Sequence, residues 1–448
     1  MKVLLVSANT VRAPYYVYPL GLDYVAGAIS KRHTVKIIDT NIVKEVEGLK
    51  EIIHDFTPDL IGISLRNIDN VDVTNTRSFL KKYQDVVATI RGHSQTPIVL
   101  GGSGFTLFPG KIMDLLKADY GIIGEGERLS LLLDALESGE SVSDLPGVIS
   151  GDTQEAFPPP WEIPFKRARA SEEMAQFYIN HGGMMNLQTK RGCPYQCIYC
   201  TYPYIDGRGL RLISADEVGD QARELEQAGA EYLFVTDSVF NSSYTHSLEV
   251  ARAFTRKGIA IPWGAYLTPT KAPQGYFQRL REAGLTHAEF GTESLSEAML
   301  TTYQKPFRVD HVLEAHAAAL DARLHVAHYL LLGGPGETQE TVRETLFNAE
   351  KLARTVIFFF CGIRIYPHTK LYDLALQEGQ ITESADLLEP VFYRSRFITS
   401  EEIRRLVEEK AGGRENWIIG SGENHAVRLM ARLHKKGITG PLWERKIR

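Results

Sequence analysis

The sequence predicts an α/β protein made of two successive parallel-sheet domains followed by a mostly helical C-terminal part. Three observations carry that expectation. Short, continuously apolar runs alternate with stretches of helical spacing, many of the runs end in small residues, and a proline-rich break, FPPPWEIPF (157–165), separates two such series. Continuous apolar runs mark strands buried on both faces, which is the condition of strands in a parallel sheet covered by helices.

In residues 1–150 the strand candidates are VLLVSAN (3–9), TVKIIDT (34–40), LIGISLR (60–66), PIVLGG (97–102) and YGIIGEG (120–126). LGLDYVAGAISKR and EGLKEIIHDF carry helical spacing between them. Five strands with crossover helices imply an open, doubly wound sheet of Rossmann or flavodoxin-like type. Such sheets bind ligands beyond the carboxyl ends of their strands. Here those ends are rich in small residues: residues 7–9, Ser64, then Gly101, Gly102, Ser103 and Gly104, then Gly124 and Gly126. Glycine lets the backbone approach a bulky or phosphate-bearing ligand with no Cβ in the way. No GxGxxG follows the first strand, which disfavours a nicotinamide dinucleotide. The alternative is a degenerate domain that only packs, with glycines ending strands for steric reasons.

Residues 151–182 read as an extended linker, because they lack a sustained period and residues 158–160 are prolines, excluded from helix interiors and central strands. From 183 to 375 the alternation resumes with MMNLQT, YLFVTD, IPWGAYL, HAEFGTES, LHVAHYLLLGG and VIFFFCGIRIY. ADEVGDQARELEQAG and PQGYFQRLREAG supply helices between them. The part from 376 to 448 reads as helical through SEEIRRLVEEKAG and ENHAVRLMARLHKKG, with no chemical motif.

Bulk properties bound the function. A net charge of −5 with both signs interspersed argues against nucleic acid as a main partner. The start, MKVLLVSAN, lacks the pattern of a secretory signal, and no uninterrupted apolar segment reaches membrane-spanning length. Only four cysteines occur in 448 residues, which fits free thiols in a reducing cytoplasm.

Three of those cysteines, Cys193, Cys197 and Cys200, fall within eight residues, in RGCPYQCIYC. Thiolates this close usually hold a metal, and three is one short of a closed four-ligand site. A structural zinc normally takes four Cys/His ligands, often as two separated pairs, and no nearby histidine completes such a set. A disulfide framework does not suit an odd cluster in a long, cysteine-poor chain. An iron site left open on one side is the expectation.

CxxxCxxC with Tyr199 just before its last cysteine resembles the signature of radical S-adenosylmethionine (SAM) enzymes. The resemblance implies a [4Fe-4S] cluster held by Cys193, Cys197 and Cys200, with its fourth iron left for the amino and carboxylate groups of SAM. It places the loop around Tyr199 near adenine and the second series of strands in a partial (β/α)6 TIM-type barrel. In such barrels chemistry gathers at the carboxyl ends of strands, and the cysteine loop follows the first of them. The pattern IVLGGSGFT, a short helix, then YGIIGEGE resembles the cobalamin-binding domain that precedes many radical SAM domains. It implies that Ser64, Gly101, Gly102, Ser103 and Gly124 lie near the corrin or its nucleotide tail. The chain departs from the DxHxxG of the usual cobalamin domain: the loop SANTVRAPYY has no histidine, so cobalt would lack a protein imidazole.

Other strand ends become candidates on the same resemblance. Asp237 matches a polar position near the methionyl amino group, Glu293 and Ser294 (FGTES) one near ribose or methionine, and Gly333 and Gly334 (LLGGPGET) a glycine-rich adenine contact. For the acids, a helix cap or surface ion pair is the competing explanation. Arg364 needs no resemblance: it lies in FFFCGIRIYP, and a buried guanidinium calls for an anion, either a ligand carboxylate or a neighbouring Asp or Glu. Arg364 and Glu293 are the candidate catalytic residues. Cys361 reads as a buried thiol behaving as a small hydrophobe, with a catalytic role as the alternative. Trp263 and Tyr266 either shape a pocket or belong to the core. His325 and His328, three apart on one strand, point to opposite faces and make no metal pair.

The resemblance as a whole is to cobalamin-binding-domain radical SAM enzymes of the class B methyltransferase type. It implies cleavage of SAM to a 5′-deoxyadenosyl radical, methylation of an unactivated carbon in a small-molecule or lipid-like substrate, and a flavodoxin- or ferredoxin-type electron donor. Cyclisation or rearrangement without methyl transfer, an empty first domain, and a cobalamin or cluster sensor stand as alternatives.

Overall fold

The computed structural model describes residues 1–9, 16–43, 45–151, 156–162, 165–168, 171–420 and 425–447. Its contacts fall into two compact units, the first running to Phe177 and the second from Tyr178, with Val71–Thr76 counted in the second.

In the first unit, β1 (Lys2–Ser7), β2 (Thr34–Asp39), β3 (Leu60–Ser64), β4 (Ile98–Gly101), β5 (Tyr120–Ile122) and β6 (Val148–Ile149) form one sheet in the order β2-β1-β3-β4-β5-β6. The first five are parallel and β6 is antiparallel at the edge. β6, two residues long, carries too little pattern to be seen in the sequence. Val3 to Val6 of β1 are fully buried, which explains the unbroken apolar run. Leu22, Ala26 and Ile29 of the helix Leu20–Ile29 and Leu129, Leu132 and Leu133 of the helix Leu129–Ser138 cover one face. Strand order reverses between β1 and β3, and this switch point opens a crevice at the carboxyl ends.

The expected extended linker is corrected in part. Residues 156–162 have no regular structure, but Glu172–Asn180 is a helix. Glu172 and Glu173 favour its first turn, and Met174, Ala175 and Tyr178 bury one stripe.

In the second unit the strands are β7 (Met184–Leu187), β8 (Lys190–Arg191), β9 (Arg211–Leu212), β10 (Tyr232–Val235), β11 (Trp263–Leu267), β12 (Leu285–Glu293), β13 (His325–Leu332), β14 (Thr355–Cys361), β15 (Ile363–Arg364), β16 (Phe392–Tyr393) and β17 (Trp417–Ile419). Seven of them pair in parallel in the order β17-β14-β13-β12-β11-β10-β7. The six expected barrel strands are all present. β17 was hidden in a region that otherwise is helical, with helices at Ser400–Ala411 and His425–His434.

Alternation sorts the two faces of this sheet. Leu330, Leu332, Ile357, Phe359 and Cys361 face outward, under Val342 and Leu346 and under Ile403 and Val407. Ala327, Val356 and Ile418 face inward, and Met430, Leu442 and Trp443 from the C-terminal segment pack on them. The lower inside of the barrel is therefore filled by the chain's own tail.

His325 is exposed, while His328 points outward and is fully buried. Thr292 donates to His328 Nδ1 at 2.7 Å, His328 Nε2–H reaches His316 Nδ1 at 3.1 Å, and His316 Nε2–H donates to the Ala353 carbonyl at 3.0 Å. The Ala353 carbonyl can only accept, so His316 Nε2 carries a proton, and the chain of bonds is satisfied with both rings neutral. Burial lowers His316 to about 4 and pushes His328 well down, aided by His316. An unfolded chain takes up these protons near pH 6.5, and the native chain resists them. Stability is therefore full above about pH 6.5 and falls as pH drops towards about 4, by about 3 kcal/mol from His316 alone. Thermal unfolding across that window is expected to show a smaller pH-dependent loss of Tm in His316→Gln than in wild type.

Candidate functional site

The cysteine loop leaves the carboxyl end of β7 and is closed at its base by the antiparallel pair β8–β9. Gly192 has φ +89°, and a Cβ there would lie 2.0 Å from the Gly209 carbonyl oxygen, so no other residue fits where the two arms pass. Cys193 N–H donates to the Gly207 carbonyl at 3.0 Å. On its other side the loop is stitched to the barrel: Ile198 N–H donates to Tyr303 O at 3.2 Å, and Leu371 N–H to Ile198 O at 2.8 Å.

Under the loop lies a fully buried ion pair, Lys190 Nζ to Asp237 Oδ2 at 2.7 Å. Asp237 also accepts from Thr189 N–H at 2.7 Å and Thr189 Oγ1 at 2.5 Å, and Lys190 donates to the Phe240 carbonyl at 2.8 Å. A charge this deep is tolerated only when paired and fully hydrogen-bonded.

The loop supplies three free thiols, one short of the four donors of a closed zinc site, which suits thiolates that each take a separate iron. Burial and the neighbouring thiols push Cys200 up to about 12, and burial raises Cys193. Ionising these groups therefore calls for a positive centre such as iron.

One cation stands beside them. Lys305 Nζ lies 3.3 Å from Glu293 Oε1 and 3.3 Å from Tyr199 Oη. Burial alone would lower this ammonium, but Glu293 and the Cys197 sulfur raise it above its usual value. Glu293 adopts φ +63° at an irregularity between Gly291 and Glu293 in the β12–β13 register, which turns its carboxylate towards Lys305. Tyr199 packs edge-on against Tyr303 at 5.9 Å, and burial followed by Glu293 pushes its phenol well up.

Above the tail-filled floor the inner face is open. Tyr329, Leu331, Phe358, Phe360 and Gly291 are all partly exposed at inward positions, whereas the outward residues between them are buried. Tyr266, inward on β11, is 39% exposed. A chamber thus opens at the carboxyl ends of the strands, on the side from which the cysteine loop springs.

In the first unit, Ser7, Ser64 and Gly101 stand in register at the ends of β1, β3 and β4. Gly102 has φ +100°, and a Cβ there would lie 2.6 Å from the Leu65 carbonyl oxygen. Ser103 Oγ donates to the Arg66 carbonyl at 2.8 Å, and Gly124 N–H donates to Thr106 Oγ1 at 3.0 Å. The result is a backbone shelf with little side chain on it, which fits a broad, flat ligand. The loop SANTVRAPYY lies largely outside the described residues.

The family model of the radical SAM superfamily matches residues 187–349, and that of the B12 binding domain matches residues 6–133. The chain carries a B12-binding domain followed by a radical SAM domain. Tryptophan 2-C-methyltransferase of Streptomyces laurentii is 24% identical over 444 residues, covering 82% of this chain and 73% of that one. An uncharacterised methyltransferase of Pyrococcus horikoshii is 26% identical over 431 residues, covering 91% of each. Among solved structures, the radical SAM methyltransferase TsrM of Kitasatospora setae, with tryptophan substrate and a SAM analogue bound, superposes with a TM-score of 0.85 at 22% identity, over 99% of this chain and 97% of that one.

The cofactors of this radical SAM enzyme are a [4Fe-4S] cluster, SAM and cobalamin, and Cys193, Cys197 and Cys200 are its cysteine motif. Several of its other candidate residues have partners within the protein. Asp237 uses both carboxylate oxygens on Thr189 and Lys190, which makes it a support of the cysteine loop. Ser294 is buried, meets Thr345 Oγ1 at 3.0 Å and accepts from Ser296 N–H, so it ties β12 to the helix Gln339–Ala349. Gly334 is required by Tyr303, whose ring would lie 2.3 Å from a Cβ there, and Gly333 (φ +94°) donates to buried Glu337 at 3.2 Å. Arg364 donates to the carbonyls of Ile365 at 2.6 Å and Leu387 at 2.7 Å and stacks on Tyr366, so its guanidinium is held within the protein. Cys361 is a buried outward thiol raised to about 12 by burial, and Trp263 is core, donating to the Ala283 carbonyl at 2.8 Å.

Lys305 and Lys190 escaped the sequence reading. Lys190 had a signal, since it directly precedes the RGC turn, whereas Lys305 is distant in sequence from every ligand.

Asp237→Ala leaves a buried ammonium unpaired, a loss of about 3–5 kcal/mol. Iron and sulfide retained after anaerobic reconstitution are expected to fall together with Tm. Retention of a full cluster and a wild-type Tm, with SAM binding lost, would instead make Asp237 a direct ligand. Arg364→Lys, which lacks the planar fork, is expected to lower Tm and leave SAM cleavage unchanged.

Proposed function

We propose that this enzyme is a cobalamin-dependent C-methyltransferase of a small-molecule substrate. The single observation that carries this reading is the cysteine loop at the rim of an open barrel chamber, on a chain whose first unit is a B12-binding domain.

When bound, the cofactors supply an electron to split SAM into methionine and a 5′-deoxyadenosyl radical, and a methyl group to transfer. The chain's own residues hold and enclose. Cys193, Cys197 and Cys200 would hold the cluster. Glu293 and Lys305, paired beside the cysteine loop, would offer a carboxylate and an ammonium to the amino and carboxylate groups of SAM. Tyr199 and the chain at Gly333 and Gly334 line the approach of adenine. Ser64, Gly101, Gly102, Ser103 and Gly124 take the corrin or its nucleotide tail. The chamber holds the substrate away from water, which protects a carbon radical from quenching.

A one-electron carrier of flavodoxin or ferredoxin type serves as electron donor in this reading. Among the described residues no helix is long and apolar enough to cross a membrane. The free thiols fit a reducing cytoplasm.

Anaerobic reconstitution with iron, sulfide and hydroxocobalamin, followed by reduction with methyl-labelled SAM, is the direct test. Expected products are 5′-deoxyadenosine and a labelled methylated substrate, with cluster absorption and turnover both absent when Cys193, Cys197 and Cys200 are changed to Ala. Turnover surviving that triple change would overturn the cluster assignment, and 5′-deoxyadenosine without label transfer to any accepted substrate would replace methylation by rearrangement.

A further inference from the structure

The walls of the chamber have a distinct chemistry. Tyr329 and Phe358 stand face to face, with ring centroids 4.8 Å apart and planes 8° apart. Tyr266 meets Tyr329 edge-on at 6.5 Å and Phe234 at 5.0 Å. Aromatic quadrupoles favour these offset and edge-on contacts with one another and with a further ring placed among them. Below the rings sits one carboxyl group. Glu289 Oε2 accepts the Tyr329 hydroxyl at 2.6 Å, and Glu289 Oε1 accepts Trp443 Nε1–H at 2.9 Å. Glu289 is buried beneath the tail residue Trp443, and burial raises its carboxyl above the ordinary range.

We infer that the chamber is built for a planar aromatic substrate, and that Glu289 is a positioning residue that fixes the Tyr329 wall by tying it to Trp443. The methyltransferase reading supplies the reaction; the class of substrate rests on the ring geometry. A Tyr side chain held at its ring by Phe358 and at its hydroxyl by Glu289 cannot turn away, so the chamber presents ring edges in a fixed orientation. Such a surface rewards a flat ligand and gives a puckered one of equal size only its area. The inward residues at this level, Phe234, Tyr266, Tyr329, Leu331 and Phe358, are all uncharged.

The experiment is titration calorimetry of the anaerobically reconstituted full chain with 2-naphthol and with its saturated counterpart, decahydro-2-naphthol. Wild type is expected to prefer 2-naphthol by about tenfold, as one or two well-placed aromatic contacts supply. Tyr329→Leu is expected to bring the ratio to within about twofold, and Tyr329→Phe, Glu289→Gln and Trp443→Phe to weaken 2-naphthol by about threefold with little effect on the saturated probe. If Tyr329→Leu does not fold, as judged by Tm and cluster absorption, Tyr266→Leu carries the same expectation. Equal affinities in wild type, no measurable binding of 2-naphthol, or an unchanged ratio in the Leu variant would overturn the inference. Binding is read without turnover, so a preserved ratio with no methyl transfer would count against the methyltransferase reading alone.

Discussion

A lysine ammonium and an aspartate carboxylate, 2.7 Å apart and both without solvent contact, hold the base of the cysteine loop. Lys190 is two residues before Gly192, and Asp237 lies two residues beyond the end of β10, the neighbour of β7. The pair therefore joins the start of the loop to the adjacent strand end. Thr189 adds two hydrogen bonds to the same carboxylate, and His246 Nε2 reaches the Thr189 carbonyl at 3.1 Å. Two buried charges confer little net stability over an apolar pair, but they tolerate almost no displacement. That rigidity suits a loop whose sulfurs must keep a fixed spacing for a cluster.

The same strand ends serve two environments because parallel strands alternate their side chains. Outward residues of β13 and β14 are sealed beneath helices, and inward residues meet either the C-terminal tail or the chamber. The tail determines where the packed core stops and where the open space begins. Trp443 makes that boundary polar on one side through Glu289, which links the depth of the chamber to the wall that faces a substrate.

Much of the fold was legible from residue order. All five expected strands of the first sheet and all six of the barrel are present, because strands buried on both faces leave continuous apolar runs. β6 and β17, with two and three residues, were too short to leave a pattern. The helix Glu172–Asn180 was obscured by the prolines before it. At the site, the cysteine motif and the buried guanidinium of Arg364 were legible, but the partners of Asp237 and Ser294 were not. Those two were expected near a ligand because of their place at strand ends, and in the fold they bond to Lys190 and Thr345.

Residue order alone determined that this chain carries three thiols in one short loop after a buried strand, ahead of which lies a second α/β domain with glycine-rich strand ends. Those features are local: spacing along the backbone limits how far apart such groups can lie. Only the tertiary structure decided which acid meets which base, that Lys305 stands beside the thiols, and that Trp443 closes the barrel from more than 150 positions beyond Glu289. Such pairings depend on the direction of side chains brought together from distant strands, and the sequence pattern of each strand is the same whichever partner it finds.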